Sequence, residues 1–307
     1  MKIAIIGGTG AMGSIIGGRL AQAGYDVTLL DVNATAVDTI NANGLKITDK
    51  NGDTDTIQVR ATTDAASIGV VDLAVVFVKC FYTKAAVEGA APLIGPNTKV
   101  LSLQNGWGNG EVIAGVVGPE RVRLGVTYIS GTTLAPGHVR QVGNPIGFIG
   151  NPGGDNDAIV HEVAEAMGKI GVTMTVSDHV LRDIWAKLAL NVCTLPSSAL
   201  LGFPAHQLLQ HDGMVSLMKA LLEEVVAVAN AQQIPMDFDE RWAAITTVLT
   251  NAVGARGSML QDVDAKRQTE IDVINGAIVA AGQRLGIPTP YSQSMVWLMK
   301  SMQESYT

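Results

Sequence analysis

A glycine-rich loop between an apolar segment and a helical pattern is the feature that most constrains the fold of this chain. The β-branched run Ile3–Ile6 predicts a strand, and Met12–Ala23 carries apolar residues at helical spacing. The residues that join them fit the pattern G-x-G-x-x-G: Gly8, Thr9, Gly10, Ala11, Met12 and Gly13. In this context the pattern predicts a dinucleotide-binding βαβ unit. Gly8 would allow the tight turn, Gly10 would let the backbone approach a pyrophosphate, and Gly13 would let the helix pack closely on the strand. Gly7, which precedes the pattern, leaves the register of the loop open by one residue.

Asp31 directly follows the second predicted strand, Asp26–Leu30, and lies about 20 residues past the glycines. A carboxylate at this position accepts hydrogen bonds from the adenosine ribose and repels a 2′-phosphate. The sequence therefore favours NAD(H) over NADP(H). The alternative is that Asp31 only caps the following predicted helix, Ala34–Asn43.

Strand-like and helical segments alternate through the first half of the chain, which predicts an α/β, Rossmann-type doubly wound parallel sheet. Val70–Val78 is almost entirely apolar, as expected of a strand with both faces covered, and Lys99–Leu103 repeats the pattern. Leu45–Val59 predicts a hairpin around Asn51-Gly52. His138–Gly150 is Gly-rich and strand-like, and predicts antiparallel additions at the sheet edge.

Helical periodicity replaces the strand pattern after Ser177. We therefore predict a dinucleotide-binding domain over residues 1–177 and an all-helical substrate and catalytic domain over residues 178–307. Leu217–Ala229 and Arg267–Leu285 have the clearest helical spacing. Four apolar residues near the C-terminus fit a core face better than the alternative, a dimer contact: Met295, Trp297, Leu298 and Met299.

Composition restricts the class of protein further. The 307 residues are 47% hydrophobic and 16% charged, which provides for a buried core and excludes a disordered chain. A net charge of −7 argues against nucleic-acid binding. No segment of about 18 apolar residues lacks charge, so we expect no membrane span. The two distant cysteines, Cys80 and Cys193, predict reduced thiols in a cytoplasmic protein, with no disulfide framework and no metal site.

Polar side chains follow two of the predicted parallel strands. Lys79 and Asn105 each come after the carboxyl end of such a strand, where open parallel sheets bind ligands. Lys79 is expected to reach a cofactor phosphate or ribose, and Asn105 to meet the nicotinamide or the substrate. A solvated lysine and an ordinary Asn-Gly turn are the alternatives.

A second group of polar side chains lies in the predicted helical domain. Lys187 and Asn191 are four residues apart and share one face of an apolar helical segment. Partial burial beside Trp185 would lower the pKa of Lys187 and make it a proton donor near neutral pH, whereas a snorkelling lysine would keep its ordinary pKa. Ser258 and Glu270 stand among further helical residues, where Glu270 either pairs with a lysine, binds a hydroxyl or faces solvent.

Together these segments resemble the ketopantoate reductase (2-dehydropantoate 2-reductase) family over nearly the whole chain. The resemblance rests on the glycine loop and on three further segments: LQNGWGNGE at 103–111, IWAKLALN at 184–191, and SMLQD with TEIDVINGAIV within 258–279. It implies a Rossmann domain and a helical domain with the active site in the cleft between them. It also implies hydride transfer from a nicotinamide cofactor to the carbonyl of a 2-keto acid.

The resemblance implies a role for each candidate residue. Lys187 matches the catalytic lysine that protonates the new alkoxide, and Glu270 matches the glutamate that positions the substrate and that lysine. Four further polar residues match positions that hold the cofactor or the substrate: Lys79, Asn105, Asn191 and Ser258.

Two departures from the family pattern bear on specificity. The family often has an asparagine four residues past the position of Asn191, and this chain has Leu195 there, which removes one amide from the substrate pocket. The family usually prefers NADPH and often has a basic residue near the end of the second strand, where this chain has Asp31.

The sequence as a whole predicts a homodimeric enzyme that reduces ketopantoate or a closely related small 2-keto acid. NAD is the expected cofactor and NADP the alternative. Two other functions stay open: an NAD-dependent dehydrogenase that oxidises a different 2-hydroxy acid, and an NAD(P)-sensing protein without catalysis.

Overall fold

The computed structural model describes residues 1–306, apart from the side chain of Asn144. It divides into two compact units. The sheet unit comprises residues 1–104 and 109–180, and the helical unit comprises residues 105–108 together with the chain from Leu181 onward. The segment 105–108 thus lies inside the first predicted domain in sequence, while its contacts are with helical residues.

The sheet unit is an α/β structure whose described residues form ten strands and five helices, which confirms the predicted fold class. The strands are β1 (Lys2–Ile6), β2 (Asp26–Leu30), β3 (Leu45–Thr48), β4 (Thr54–Ile57), β5 (Arg60–Thr62), β6 (Leu73–Val76), β7 (Lys99–Ser102), β8 (Val122–Ala135), β9 (His138–Gly150) and β10 (Thr173–Val176). The helices are α1 (Ala11–Gln22), α2 (Ala34–Asn43), α3 (Thr83–Gly89), α4 (Asn109–Val117) and α5 (Ala158–Lys169). The strand order is β4-β3-β9-β8-β7-β6-β1-β2-β5, and β10 pairs with β9.

The central strands are parallel and buried on both faces, as the apolar sequence pattern predicts. Along β1, Ile3 and Ile5 face one apolar cluster, while Ala4 and Ile6 face another on the opposite side of the sheet. This alternation lets helices cover both faces of the sheet. The carboxyl ends of β1, β2 and β6 therefore open at the same edge, where the glycine loop begins.

The predicted hairpin forms between β3 and β4. The position of β9 differs from the prediction that this strand lies at the sheet edge. β9 pairs antiparallel with β8, as predicted, yet it is not an edge strand, because β3 pairs with its other side and β4 lies outside β3. The apolar face of the hairpin explains this arrangement. Leu45 and Ile47 are fully buried and belong to the same core cluster as Ile15, Ile16 and Leu20 of α1.

The helical unit contains six helices among the described residues: α6 (Val180–Leu201), α7 (Asp212–Ala231), α8 (Phe238–Asn251), α9 (Ser258–Asp264), α10 (Asn275–Leu285) and α11 (Pro290–Glu304). The prediction of one helix over Arg267–Leu285 is wrong in its first part. That part forms irregular backbone and then a short 3₁₀ segment, Ile271–Val273, and regular helix begins only at Asn275. Glu270 consequently lies on irregular backbone just before the 3₁₀ segment.

The long helix α6 forms much of the core of the helical unit. Its length and apolar composition would suffice to cross a membrane, but 67% of the qualifying stretch is buried inside the protein, as happens in core helices. Trp185, Leu188 and Val192 of α6 are almost fully buried in the core cluster. Packing within the unit therefore accounts for the apolar character of this helix.

The four apolar residues near the C-terminus divide between the core and the surface. Met295 and Met299 of α11 are buried, so the prediction of a core face is confirmed for them. It is wrong for Trp297 and Leu298, which are 63% and 51% exposed. The difference follows from helical geometry. Met295 and Met299 are four residues apart and share the side of α11 that packs on the core, whereas positions 297 and 298 lie between them and point toward solvent.

Glu224 of α7 stabilises the start of α11. Its carboxylate is 7% exposed and accepts hydrogen bonds from the backbone N–H groups of Tyr291 (2.6 Å) and Ser292 (2.8 Å). We expect Glu224→Ala to lower the free energy of unfolding by about 2–4 kcal/mol, because two N–H groups at the start of α11, one of them buried, lose a charged acceptor. Urea denaturation followed by circular dichroism measures this, with the exposed neighbour Glu223→Ala as the control. Equal stability of the two variants would contradict the capping role.

Candidate active site

The glycine loop turns one residue earlier than predicted. The left-handed backbone conformation falls on Gly7, with φ +80°, and the prediction that Gly8 makes the tight turn is wrong. The N–H groups of Gly7 and Gly8 both donate to the carbonyl oxygen of Leu30, at 2.9 and 3.1 Å. Gly8 is instead restricted by packing, because a Cβ atom at that position would lie 2.7 Å from the Cβ of Leu29.

The remaining glycines of the loop leave the start of α1 accessible. A Cβ atom at Gly13 would lie 2.3 Å from the carbonyl oxygen of Gly7, so only glycine allows the helix to approach the loop this closely. A Cβ atom at Gly10 would meet one neighbouring atom only, the same oxygen at 3.4 Å. Ser14 makes the first N–H···O=C bond of the helix, to Gly10. The N–H groups of residues 11–13 are therefore oriented to bind an anion at the helix N-terminus.

The carboxylate of Asp31 is tied to this loop. Its Oδ2 accepts from the N–H of Thr9 (2.9 Å), and its Oδ1 accepts from the N–H of Asn33 (3.1 Å). The alternative that Asp31 caps α2 is wrong, because the capping side chain is Asn33, whose Oδ1 accepts from the N–H of Ala36. Each carboxylate oxygen can accept a further hydrogen bond, so Asp31 retains capacity to bind hydroxyl groups.

Lys79 lies in the loop after β6, immediately before the 3₁₀ segment Cys80–Tyr82. Gln104, two residues after β7, holds this loop in place, since its Nε2 donates to the carbonyl oxygen of Val78 (2.7 Å) and to Oγ1 of Thr83 (2.8 Å). Sequence reasoning assigned no role to Gln104. Its place beside Asn105 in the segment LQNGWGNGE was the available signal.

The segment 105–108 connects two parts of the helical unit. The ammonium Nζ of Lys187 donates to Oδ1 of Asn105 at 2.8 Å. The N–H of Trp107 donates to the carbonyl oxygen of Val273 at 2.8 Å, and its indole packs edge to face on Trp185 with ring centroids 5.4 Å apart. The segment thus contacts both α6, which carries Lys187, and the 3₁₀ segment that follows Glu270.

Gly106 allows this close contact. It has φ +86°, and a Cβ atom there would lie 2.5 Å from the carbonyl oxygen and Cγ2 of Val273. Asn-Gly at positions 105 and 106 is therefore more than a surface turn. It presents the amide of Asn105 to Lys187 while the backbone lies against Val273.

Lys187 has the perturbed acidity expected of a proton donor near neutral pH. Burial lowers the pKa of Lys187 to about 8, and the negative charge of Glu270 raises it and so offsets part of that decrease. Glu270 is itself 7% exposed. The pair places an ammonium that can lose its proton near physiological pH beside a carboxylate that favours its charged form.

Two other predicted residues lie in the same unit. Asn191, 7% exposed, follows Lys187 by one turn of α6. Ser258 begins α9 directly after Gly257, and a Cβ atom at Gly257 would lie 2.8 Å from Cδ2 of Leu195. The helical unit thus holds Asn105, Lys187, Asn191, Ser258 and Glu270, whereas the glycine loop, Asp31 and Lys79 belong to the sheet unit.

Pro196 and Asn275 form a contact that the sequence analysis missed. Pro196 lies inside α6 and has no N–H, so the carbonyl oxygen of Val192 lacks its usual helical donor. The side-chain Nδ2 of Asn275 donates to this oxygen at 3.3 Å, and Asn275 is fully buried at the start of α10. This hydrogen bond therefore connects the start of α10 to α6, next to Asn191 in sequence and one turn before Pro196.

Among residues 1–306, with the side chain of residue 144 aside, no group of three or more His, Cys, Asp or Glu residues is arranged to hold a metal ion.

The family profiles and the curated relative that match this chain carry the name of the same family. The family profile "Ketopantoate reductase PanE/ApbA" matches residues 3–153, and its C-terminal counterpart matches residues 179–303. The curated 2-dehydropantoate 2-reductase of Pyrococcus horikoshii is 33% identical over 307 aligned residues, which cover 99% of this chain and 98% of that protein.

Two solved structures are similar to this chain over its full length. A PanE/ApbA family ketopantoate reductase from Ralstonia eutropha JMP134 has a TM-score of 0.91 at 30% identity and covers 100% of this chain and 99% of its own. A D-mandelate dehydrogenase with NADH and anilino(oxo)acetate has a TM-score of 0.93 at 28% identity, with the same coverage of 100% and 99%.

The acidity of Lys187 can be tested directly. We expect an amine pKa of about 8 in the wild-type protein and a lower value in Glu270→Gln, because the substitution removes the charge that favours the ammonium form. The pH dependence of the lysine ¹³Cε chemical shift measures both values. Asp272→Asn is the matched control, since Asp272 is half exposed and contacts Lys300 at 2.7 Å. An unperturbed wild-type lysine, or an unchanged pKa in Glu270→Gln, would contradict the described electrostatics.

Proposed function

Because this chain belongs to the ketopantoate reductase family, we propose that it is a nicotinamide-dependent oxidoreductase that reduces a small 2-keto acid to the 2-hydroxy acid. Ketopantoate is the first substrate to test. The observation that carries the proposal is the part-buried ammonium of Lys187, held by Asn105 Oδ1 with a pKa of about 8.

The residues of the sheet unit fit a dinucleotide. The accessible start of α1 offers N–H groups to a pyrophosphate, and the space beside Gly10 leaves room for its approach. Asp31 supports NAD over NADP, because its carboxylate can accept from ribose hydroxyls and would repel a 2′-phosphate. Lys79, in the loop held by Gln104, would contact the cofactor. In this proposal residues 1–177 bind the cofactor, and residues 178–307 bind the substrate and supply the proton.

The reaction follows from the side chains of the helical unit. When bound, the reduced nicotinamide supplies the hydride to C2 of the keto acid. Lys187 polarises the carbonyl oxygen, stabilises the negative charge that builds on it and donates the proton from Nζ. Asn105 orients the ammonium through its Oδ1, and Glu270 keeps it charged. Asn191 and Ser258 would bind the carboxylate or another oxygen of the substrate.

The opposite direction is the second candidate function. A lysine with a pKa of about 8 is largely neutral in mildly alkaline solution and can then remove the hydroxyl proton of a 2-hydroxy acid. The similarity to a D-mandelate dehydrogenase with NADH, together with Asp31, favours this alternative as an NAD-dependent dehydrogenase. A purely NAD(P)-sensing protein would not require the proton donor that the Lys187 site supplies.

Lys187→Ala tests the catalytic role. We expect kcat for keto-acid reduction to fall by about 10²–10⁴-fold from loss of the proton donor, while cofactor binding measured by fluorescence persists. Wild-type kcat for reduction should decline as the pH rises above about 8, because the ammonium is then deprotonated. Lys84→Ala, which alters a lysine exposed on α3, is the control. Unchanged turnover in Lys187→Ala would exclude this role.

Asp31 can be tested by cofactor preference. We expect wild-type kcat/KM with NADH to exceed that with NADPH by at least about tenfold, since a charged hydrogen bond is typically worth about 1.5–3 kcal/mol. Asp31→Ser should narrow this ratio, and Asp26→Asn, at the exposed start of β2, should leave it unchanged. Preference of the wild-type protein for NADPH by tenfold or more would refute the argument.

A further inference from the structure

We infer that the preferred substrate is a 2-keto acid whose C2 substituent is apolar and has no hydroxyl group, and that Leu195 determines this preference. The inference rests on the proposed function, because it names the substrate class of the same site. It is carried by the geometry around Leu195, and not by the identity of the catalytic lysine.

Three side chains of different chemistry follow one another on one face of α6. Lys187, Asn191 and Leu195 are spaced by four residues, which places them about 6 Å apart along the helix axis on the same side. The face thus presents a cation, then an amide, then an isobutyl group. A molecule that binds along this face with its carbonyl oxygen at Lys187 meets a polar end and an apolar end.

Leu195 forms an apolar wall beside α9. It is part-buried and packs against the core of the helical unit. The absence of a side chain at Gly257 admits Leu195 close to the backbone, since an added Cβ atom would lie 2.8 Å from Cδ2 of Leu195. Gly257 immediately precedes Ser258, the first residue of α9. The isobutyl group therefore lies beside the residue that precedes Ser258, which is proposed to bind substrate.

The polar side chains next to Leu195 in sequence do not compensate for its lack of hydrogen-bonding groups. The hydroxyl of Thr194 donates to the carbonyl oxygen of Leu190 (2.6 Å). The hydroxyl of Ser197 donates to the carbonyl oxygen of Cys193 (3.5 Å), and the hydroxyl of Ser198 donates to the carbonyl oxygen of Phe203. All three hydroxyl hydrogens are thus engaged with backbone carbonyls of the helical unit. A substrate hydroxyl in contact with the isobutyl group of Leu195 would lose hydrogen bonds to water, and these three side chains would donate none in return.

Two keto acids isolate this effect, because they differ by a single hydroxyl group: ketopantoate (4-hydroxy-3,3-dimethyl-2-oxobutanoate) and 3,3-dimethyl-2-oxobutanoate. We expect wild-type kcat/KM with NADH to be at least about tenfold higher for the acid without the hydroxyl. Leu195→Asn keeps the number and branching of the side-chain heavy atoms and supplies an amide, so it should shift the ratio of the two kcat/KM values at least about tenfold toward ketopantoate. Leu195→Met, the apolar control, should keep the wild-type preference.

The outcomes separate this inference from the proposed function. Turnover of both acids with ketopantoate equal or preferred, or an unchanged ratio in a folded Leu195→Asn variant, overturns the role of Leu195 while keto-acid reduction stands. No turnover of these or other 2-keto acids with NADH or NADPH overturns both. The wild-type comparison requires no substitution, so the inference remains falsifiable even if a variant does not fold.

Discussion

The ammonium group of Lys187 is only partly accessible to water, and its charge is tolerated there because two oxygen-bearing side chains face it. Oδ1 of Asn105 accepts a hydrogen bond from Nζ, and the carboxylate of Glu270 raises a pKa that burial alone would lower further. Without the amide and the carboxylate, burial of this cation would only destabilise the helical unit. The segment 105–108 helps to keep these three groups near one another.

The three groups come from distant parts of the sequence, and the segment 105–108 connects them. Asn105 reaches Lys187 on α6, while Trp107 is bound through its backbone to Val273, three residues after Glu270. The glycine at position 106 allows the chain to lie against Val273. A short piece of chain that follows a strand of the sheet unit therefore helps to orient the ammonium group of Lys187 in the helical unit.

Much of the fold and of the candidate site could be predicted because local patterns determine them. Neighbouring residues alone determine the apolar run of β1, the glycines before α1 and the alternation of strands and helices. The four-residue spacing of Lys187 and Asn191 likewise predicts that they share one face of a helix. Long-range contacts could not be predicted. The pairing of the hairpin with β9, the hydrogen bond of Gln104 to the loop of Lys79 and the turn at Gly7 depend on residues that meet only in the folded chain.

The contact between Pro196 and Asn275 links two positions that are far apart in sequence. The carbonyl oxygen of Val192 is free for Asn275 because proline cannot donate to it. Any other residue at position 196 would restore an N–H that competes for this oxygen, and loss of the amide at position 275 would leave the oxygen without either donor. Substitutions at the two positions should therefore be strongly non-additive, so that tolerance of a change at one depends on which residue occupies the other.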